Sequence, residues 1–326
     1  MISERLINET VSTLFENIEF SAEPAGLYDP LRYMIEIGGK RVRPRLFFTA
    51  YSMFNDSISE EAKEPAVALE VFHSFTLLHD DIMDKSPLRR GKPTVWTKWS
   101  EDTAILSGDV MQIDAYRRMA KAPEDKLQHT LALFSKTAAE VCEGQQYDME
   151  FESVPEVQMA DYEKMIGLKT AVLLACAAGL GAYIGGGDEQ QCKKLYQYGY
   201  ELGMAFQVAD DYLDAFGDEK VFGKPIGGDI LNEKKSWLTV RAMENTSDKE
   251  GFLKEFTAKA GTPEEKAAKI DAVRNLYVAL GVDKDAKAEI VRYSERAIEA
   301  VKDMNLSKEC MAELENFVEK LVGRAK

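Results

Sequence analysis

Apolar side chains recur at intervals of three and four residues along most of the chain, which is the spacing of one face of an α-helix. One such stripe follows Pro65 and contains Val67, Val71, Phe72, Phe75, Leu78 and Ile82. A second stripe contains Leu195, Tyr198, Leu202, Phe206, Ala209 and Leu213. Segments with the alternating polarity of a half-buried strand do not stand out. The pattern therefore predicts an all-α protein, with Pro65 in the first turn of the helix that carries the first stripe.

Glycine and proline clusters mark the breaks between the predicted helices. These clusters are Gly38-Gly39, Ser86-Pro87, Ala122-Pro123 and Gly185-Gly186-Gly187. The most concentrated break covers residues 217–229, directly after the second stripe, and a loop there is expected to close over a ligand. No composition typical of a linker separates the helices, so the 326 residues are large enough for one big domain or two ordinary ones.

Each stripe ends in the pattern Asp-Asp-x-x-Asp, at residues 80–84 and again at residues 210–214. Helical residues four positions apart lie about 40° apart around the axis, so the first and last aspartate of each motif share a face. One such motif alone is typical of a solvated acidic helix face. Two copies, each after an apolar stripe, favour a binding site, because clustered carboxylates repel one another until cations neutralise them. Oxygen ligands without His or Cys indicate Mg²⁺, which is commonly held together with substrate phosphates.

Basic residues are clustered although the chain as a whole has a formal charge of -15. That charge argues against nucleic acid or anionic lipid as a partner. Lys40, Arg41, Arg43 and Arg45 follow the glycine pair Gly38-Gly39, and Arg89-Arg90-Gly91 follows the first acidic motif. Backbone amides with guanidinium and ammonium groups suit a polyanion such as diphosphate, the alternative being an ordinary basic surface patch. Further cationic candidates, each typical of a surface lysine by itself, are Lys169, Lys224 and Lys234.

Cysteine usage and hydropathy predict a cytoplasmic protein without a membrane span. The four cysteines have no metal-binding spacing and are expected to be reduced. The N-terminal residues lack the basic region and apolar core of a signal peptide. The longest apolar run, residues 171–184, is short for a bilayer and is expected to be a buried helix.

In their order, these motifs resemble those of the trans-isoprenyl diphosphate synthases, the family of the farnesyl and geranylgeranyl diphosphate synthases. The match runs from Gly38 to Trp237 and also includes Gly-Gln-x-x-Asp at residues 144–148. The segments before and after it fit the family only as helices of suitable length. The resemblance implies one domain, residues 1–326, of long and mostly antiparallel helices around a deep central cavity. It also implies a homodimer, with the two acidic motifs facing each other across the mouth of the cavity.

The resemblance further implies the reaction, in which isopentenyl diphosphate condenses head to tail with dimethylallyl, geranyl or farnesyl diphosphate and pyrophosphate leaves. Three Mg²⁺ per site would be bound by Asp80, Asp84 and Asp210, with Asp81, Asp211 and Asp214 behind them. The allylic diphosphate would be bound by Arg89, Lys169, Lys224 and Lys234. Isopentenyl diphosphate would be bound by Lys40, Arg43, His73 and Arg90. Thr170 and Gln207 would lie beside the allylic cation.

Side chains upstream of Asp80 are expected to limit product length. Phe75 and Phe72 lie five and eight residues before Asp80, roughly 7.5 and 12 Å along a helix. An aromatic Phe75, a small Thr76 and the absence of an insertion in the first motif resemble the archaeal-type geranylgeranyl synthases. We therefore expect a short product, with C20 favoured over C15. The alternative is that Phe72 and Phe75 are ordinary core residues.

Two other functions stay open from the sequence. A class I terpene cyclase shares the fold, but it needs only one diphosphate and leaves the basic cluster after Gly38 unexplained. A non-catalytic regulatory subunit of a heteromeric synthase would typically lose the acidic motifs, and both are intact here.

Overall fold

The computed structural model describes residues 1–218 and 226–323, and this part of the chain is almost entirely helical. The prediction of an all-α protein is confirmed. The helices of the first half are α1 Glu4–Glu16, α2 Ala25–Glu36, α3 Val42–Tyr51, α4 Glu60–Met83, α5 Val95–Lys98, α6 Glu101–Met119 and α7 Leu127–Glu152. Those of the second half are α8 Met159–Ile166, α9 Val172–Gly185, α10 Glu189–Phe216, α11 Gly228–Leu231, α12 Trp237–Asn245, α13 Lys249–Phe256, α14 Pro263–Ala279, α15 Val282–Val301 and α16 Lys308–Val322. Short 3₁₀ turns cover Glu124–Lys126 and Lys302–Met304.

The predicted apolar stripes form the buried faces of α4 and α10. Val67, Val71, Phe72, Phe75 and Leu78 are buried on α4. Leu195, Tyr198, Leu202 and Ala209 are buried on α10. The predicted breaks at residues 38–39, 86–87 and 122–123 fall between helices, and the break at residues 185–187 begins at the last residue of α9, as expected from their glycine and proline content.

The start of α4 differs from the prediction. The helix begins at Glu60, so Pro65 lies inside it rather than in its first turn. Glu60 and Glu61 are favourable in a first turn because the helix dipole places positive charge there. Ala62 is fully buried, so the earlier turn also contributes to the core. These gains offset the backbone hydrogen bond that Pro65 cannot donate.

A two-stranded antiparallel hairpin interrupts the helices, and it was not predicted from the residue pattern. Strand β1 is Leu88–Arg89 and strand β2 is Lys92–Pro93, with Arg89 paired to Lys92. The two turn residues, Arg90 and Gly91, both have positive φ (52° and 74°), the conformation of a tight type I′ turn. Strands this short leave no alternating pattern to read.

The described chain forms two compact units. The first contains residues 1–136 and 176–196, and the second contains residues 137–175 and the described residues after 196. The core of the first unit includes Leu46, Phe47, Phe48, Phe72 and Phe134, all fully buried. The core of the second includes Tyr162, Tyr198, Trp237, Phe256 and Tyr277. The assignment of residues 1–326 to one domain, and the central cavity, stay predictions.

One continuous helical stretch, Met159–Gly185, is long and apolar enough to cross a bilayer. Of its most apolar window, 83% is buried inside the protein, as expected of a core helix, so no membrane span is indicated. A π-helical turn, Gly167–Ala171, joins α8 to α9 within this stretch.

Candidate active site

The first acidic motif lies at the C-terminal end of α4, where the helix dipole is negative. Carboxylates are unfavourable at this end, so the motif needs cations. Asp81 is buried and accepts three hydrogen bonds from Arg89 of β1, two from Nε at 2.9 and 3.0 Å and one from Nη2 at 2.8 Å. Burial raises the pKa of the Asp81 carboxyl, although the Arg89 guanidinium acts in the opposite direction. Asp80 is half-buried and Asp84 is exposed, so these two carboxylates remain accessible to a ligand.

Arginine side chains gather beside the first motif. The guanidinium of Arg90, in the hairpin turn, packs directly on Gly39. A Cβ added to Gly39 would lie 2.8 Å from Arg90 Nη1, so any other residue there would displace the arginine. Arg41 Nη2 donates to the Ile35 carbonyl at 2.7 Å. The break at the glycine pair thus permits a close approach between two basic segments that lie 50 residues apart.

Glu70 is the acidic partner of these arginines. It lies on α4 and is only 3% exposed, and Arg41 Nη1 donates to its Oε1 at 3.4 Å. Among the described residues, neither Glu70 Oε2 nor Arg43 Nε has a hydrogen-bond partner, although both atoms are buried. Unpaired buried donors are costly, so Arg43 is well suited to a bound anion.

His73 lies on α4 one turn after Glu70. Burial lowers its pKa well below the ordinary value, and Arg43, Arg89, Arg90 and Arg41 lower it further. The imidazole is therefore neutral near pH 7 and can donate or accept a hydrogen bond without adding charge. Lys40 is exposed at the start of the same basic segment.

The second acidic motif likewise lies near the C-terminal end of its helix, α10. Asp210 is half-buried. Asp214 Oδ2 accepts from the backbone N–H of Asp229 at 3.0 Å, which ties the motif to α11. Asp211 is buried and accepts from the Trp237 backbone N–H at 2.7 Å, from Gln207 Nε2 at 2.9 Å and from the Tyr162 hydroxyl.

Burial raises the pKa of Asp211 to about 6, and these three donors hold it from rising further. The amide of Gln207 is bound at both ends. Its Nε2 donates to Asp211, and its Oε1 accepts from Thr170 Oγ1 at 2.9 Å. Thr170 and Gln207 are thus directly hydrogen-bonded, and their position beside the allylic cation stays a prediction.

Two lysines gather on Asp148, the last residue of the Gly-Gln-x-x-Asp segment. Lys169 Nζ lies 2.7 Å and Lys234 Nζ 3.8 Å from Asp148 Oδ2. The π-helical turn that carries Lys169 runs against α7 at Gly144. A Cβ at Gly144 would lie 2.3 Å from the Lys169 backbone nitrogen, so only glycine allows this approach. π-turns inside helices often mark functional sites.

The residues predicted to limit product length form an aromatic row in the first unit. The ring centroids of Phe75 and His79 are 4.8 Å apart, those of Phe72 and Phe75 are 5.4 Å apart, and those of Phe72 and Phe134 are 5.4 Å apart. Phe72 is fully buried, whereas Phe75 is 7% exposed. Thr76 is half-buried, and its hydroxyl donates to the His73 carbonyl at 2.8 Å.

Contacts within a unit join some of the predicted residues: Arg89 binds Asp81, Thr170 binds Gln207, and Lys169 and Lys234 share Asp148. Lys224 lies outside the described residues. The sequence analysis assigned no role to three side chains that contact the predicted residues in the structure: Glu70, Asp148 and Tyr162. Asp148 could have been inferred from its motif, but Glu70 stands alone between apolar residues and Tyr162 lies between two acidic residues with no motif around it.

The carboxylates of the two acidic motifs are the candidate metal ligands of the site. In the described part of the chain, no group of three or more His, Cys, Asp or Glu side chains is arranged to hold a metal ion by itself. The accessible carboxylates of Asp80, Asp84 and Asp210 are nevertheless hard oxygen donors, which fit an ion that takes its remaining ligands from substrate phosphates and water.

Comparison with known proteins agrees with this arrangement. The profile of the polyprenyl synthetase family matches residues 24–276. The short chain isoprenyl diphosphate synthase of Methanocaldococcus jannaschii is 39% identical over 242 residues, covering 74% of this chain and 73% of that protein. The geranylgeranyl diphosphate synthase of Methanosarcina mazei is 35% identical over 277 residues, covering 82% of this chain and 85% of that protein. A crystal structure of a geranylgeranyl pyrophosphate synthase superimposes with a TM-score of 0.93 and 42% identity, covering 99% of both chains.

The chain belongs to the polyprenyl synthetase family. It is a prenyltransferase with the all-α isoprenoid synthase fold, and its reaction is a short-chain trans-prenyl condensation.

Proposed function

We propose that this prenyltransferase joins isopentenyl diphosphate to dimethylallyl, geranyl or farnesyl diphosphate in a Mg²⁺-dependent reaction that ends at geranylgeranyl diphosphate, C20. The observation that carries the proposal is the presence of two cationic sites. Arg43 and Arg90, with the neutral His73 beside them, form one in the first unit, and Lys169 with Lys234 forms the other in the second unit. Two diphosphates are the substrates of a condensation, whereas a cyclase needs only one.

The two cationic sites fit the two diphosphates differently. The arginines beside His73, together with Lys40, suit isopentenyl diphosphate, which keeps its diphosphate throughout the reaction. Arg89 bonds to Asp81 inside the first acidic motif, and Lys169 and Lys234 lie on Asp148. These cations suit the allylic diphosphate, whose phosphates leave, and we assign Lys224 to the same group by resemblance.

The barrier to the reaction is charge separation when the allylic C–O bond ionises. Three Mg²⁺, held by Asp80, Asp84 and Asp210 together with the diphosphate, would stabilise the negative charge on the departing pyrophosphate. Asp81, Asp211 and Asp214 have backbone or side-chain partners within the protein and hold the accessible carboxylates in place. Thr170 and Gln207 face the allylic cation with their oxygens.

Product length is set on α4. Phe75 is the most accessible of the three phenylalanine rings in the aromatic row, and it lies roughly 7.5 Å along the helix from Asp80. Phe72 is buried between Phe75 and Phe134, so it supports the Phe75 ring rather than contacting the growing prenyl chain. A prenyl chain that ends at Phe75, with the small Thr76 beside it, supports a C20 product over a C15 product.

We further propose a cytoplasmic homodimer formed through α6. Leu106 and Ile113, seven residues apart on one face of α6, are each 58% exposed. Beside them lies an apolar groove of about 530 Å³ that Ile113, Tyr116 and Leu131 line. Apolar surface of this kind is typical of an interface, and a two-fold dimer would place the same face of a second copy against it.

Incubation with Mg²⁺, labelled isopentenyl diphosphate and each of the three allylic diphosphates in turn tests the proposed reaction. We expect label in longer prenyl diphosphates with each starter. A cyclase would release hydrocarbon or alcohol without taking up label, and a regulatory subunit would leave all three starters unchanged. Either of these results would refute the synthase function.

A further inference from the structure

Tyr162 lies outside every motif used above, yet its hydroxyl donates to Asp211 Oδ2 beside the metal-binding Asp210. Tyr162 is 2% exposed and Asp211 is 5% exposed, so the hydroxyl has no water to replace this acceptor. The Trp237 backbone N–H donates to the same oxygen at 2.7 Å. Two donors, one from α8 and one from α12, therefore fix the orientation of the carboxylate.

The fixed carboxylate determines which way the Gln207 amide points. Asp211 Oδ1 accepts from Gln207 Nε2 at 2.9 Å. An amide has donors only at its nitrogen and acceptors only at its oxygen. Turning the amide over would place its oxygen against the carboxylate, which is repulsive. The amide oxygen must therefore face Thr170, and it accepts from Thr170 Oγ1 at 2.9 Å.

The same logic fixes the hydroxyl of Thr170. A threonine hydroxyl has one proton, and here that proton is donated to Gln207 Oε1. Toward any other neighbour Thr170 can then only accept. With the amide oxygen, the hydroxyl oxygen thus presents lone pairs, the negative ends of two dipoles, to a neighbouring positive charge.

We propose that Tyr162 is a positioning residue of the reaction: through Asp211 it orients the Gln207 amide so that oxygen rather than NH₂ meets Thr170 and the allylic cation. This inference rests on the proposed function, in which Thr170 and Gln207 lie beside that cation. Without the Tyr162 hydroxyl, the Asp211 carboxylate loses one of its two anchoring donors, and the reversed amide becomes accessible. A reversed amide directs positive hydrogens at the developing cation and opposes its formation.

Tyr162→Phe removes only the hydroxyl. We expect its kcat with farnesyl diphosphate to fall about tenfold, a modest share of the losses seen when preorganised dipoles are removed. The KM for isopentenyl diphosphate should not change, because that substrate binds to other residues. Tyr198→Phe is the matched control, since Tyr198 is also fully buried and its hydroxyl donates to a carbonyl, that of Leu314, at 2.9 Å. The control should lose comparable thermal stability and keep the kcat of the wild type.

A double-mutant cycle separates positioning from simple packing. In a Gln207→Leu background there is no amide to orient, so Tyr162→Phe should cause no further loss of kcat. If Tyr162 only supports the fold, the two losses will multiply, and that outcome overturns the inference. Asp211→Asn gives a second route should Tyr162→Phe unfold. Its loss of kcat should be smaller in the Gln207→Leu background than in the wild-type background, the remainder coming from its support of Asp210, and an undiminished loss would again contradict the inference.

The result also distinguishes this inference from the proposed function. If wild-type protein does not elongate any allylic diphosphate, the proposed function fails. If wild-type protein elongates them and Tyr162→Phe matches it in kcat, the proposed function stands and the role of Tyr162 is wrong.

Discussion

At the scale of single residues, the six aspartates of the two motifs divide by their burial. Asp81 and Asp211 are buried and accept hydrogen bonds from protein donors, whereas Asp84 is exposed and Asp80, Asp210 and Asp214 are half-buried. Sequence alone could place all six at helix ends, but it could not show that Asp81 binds Arg89 or that Asp211 anchors Gln207. The same local spacing therefore serves two purposes, cation binding and orientation of neighbouring side chains.

Asp80→Asn tests the first purpose. Asparagine keeps the size but removes the charge, so the variant should need more Mg²⁺ for half-maximal rate and lose roughly 100-fold in kcat. A Mg²⁺ titration of the elongation rate measures both effects. The control is Asp271→Asn on α14, because the Asp271 side chain is 73% exposed. Equal Mg²⁺ requirements in Asp80→Asn and wild type would show that Asp80 binds no metal.

His73 predicts a pH effect on stability. Its pKa is lowered in the folded protein, so below about pH 6.5, where a histidine in the unfolded chain gains a proton, the folded chain does not. The free energy of unfolding should therefore fall as the pH drops from 7 to 5.5, and His73 should contribute up to about 1.4 kcal/mol of this loss per pH unit. Above about pH 7.5, His73 should not affect the free energy of unfolding.

His73→Gln removes this contribution. Denaturant titrations of the substrate-free protein at pH 7 and 5.5 should show wild type losing about 1 kcal/mol more than His73→Gln between the two pH values. The exposed His129, changed to Gln, serves as control and should follow the wild type. If the wild type and His73→Gln lose equal stability, His73 is not held neutral by burial and its arginine neighbours.

At the scale of elements, helices with a regular apolar stripe could be predicted, and short or irregular pieces could not. α4 and α10 carry their stripes and end in their aspartates as expected from the 3.6-residue period. The hairpin that positions Arg89 and Arg90 has two residues per strand and no readable period. Glu70 and Tyr162 find their partners 29 and 49 residues away, and a single sequence does not carry such pairings.

Helix α4 also carries the test of product length. Phe75→Ala removes the ring that closes the space upstream of Asp80, so the product should lengthen beyond C20. The control is Phe252→Ala on α13, which also truncates a buried phenylalanine and should cost stability without changing product length. Chromatography of the dephosphorylated products measures the outcome. If Phe75→Ala gives the product distribution of the wild type, Phe72 and Phe75 are ordinary core residues.

At the scale of the whole molecule, the exposed apolar face of α6 predicts self-association. Ile113→Asp places a charge in the groove and should shift the protein from dimer to monomer, because burying an unpaired carboxylate is costly. Sedimentation velocity measures the change. Val278→Asp alters an equally apolar residue, 53% exposed on α14, and should leave the dimer intact. A monomeric wild type, or an Ile113→Asp variant that remains dimeric, would place the interface elsewhere or exclude it.

The most direct test of the whole account is the product profile formed from dimethylallyl diphosphate and excess isopentenyl diphosphate, followed over time with Mg²⁺ and with EDTA. We expect successive C10 and C15 intermediates that converge on C20 with Mg²⁺, and no elongation with EDTA. A profile without any longer prenyl diphosphate in the presence of Mg²⁺ would contradict it.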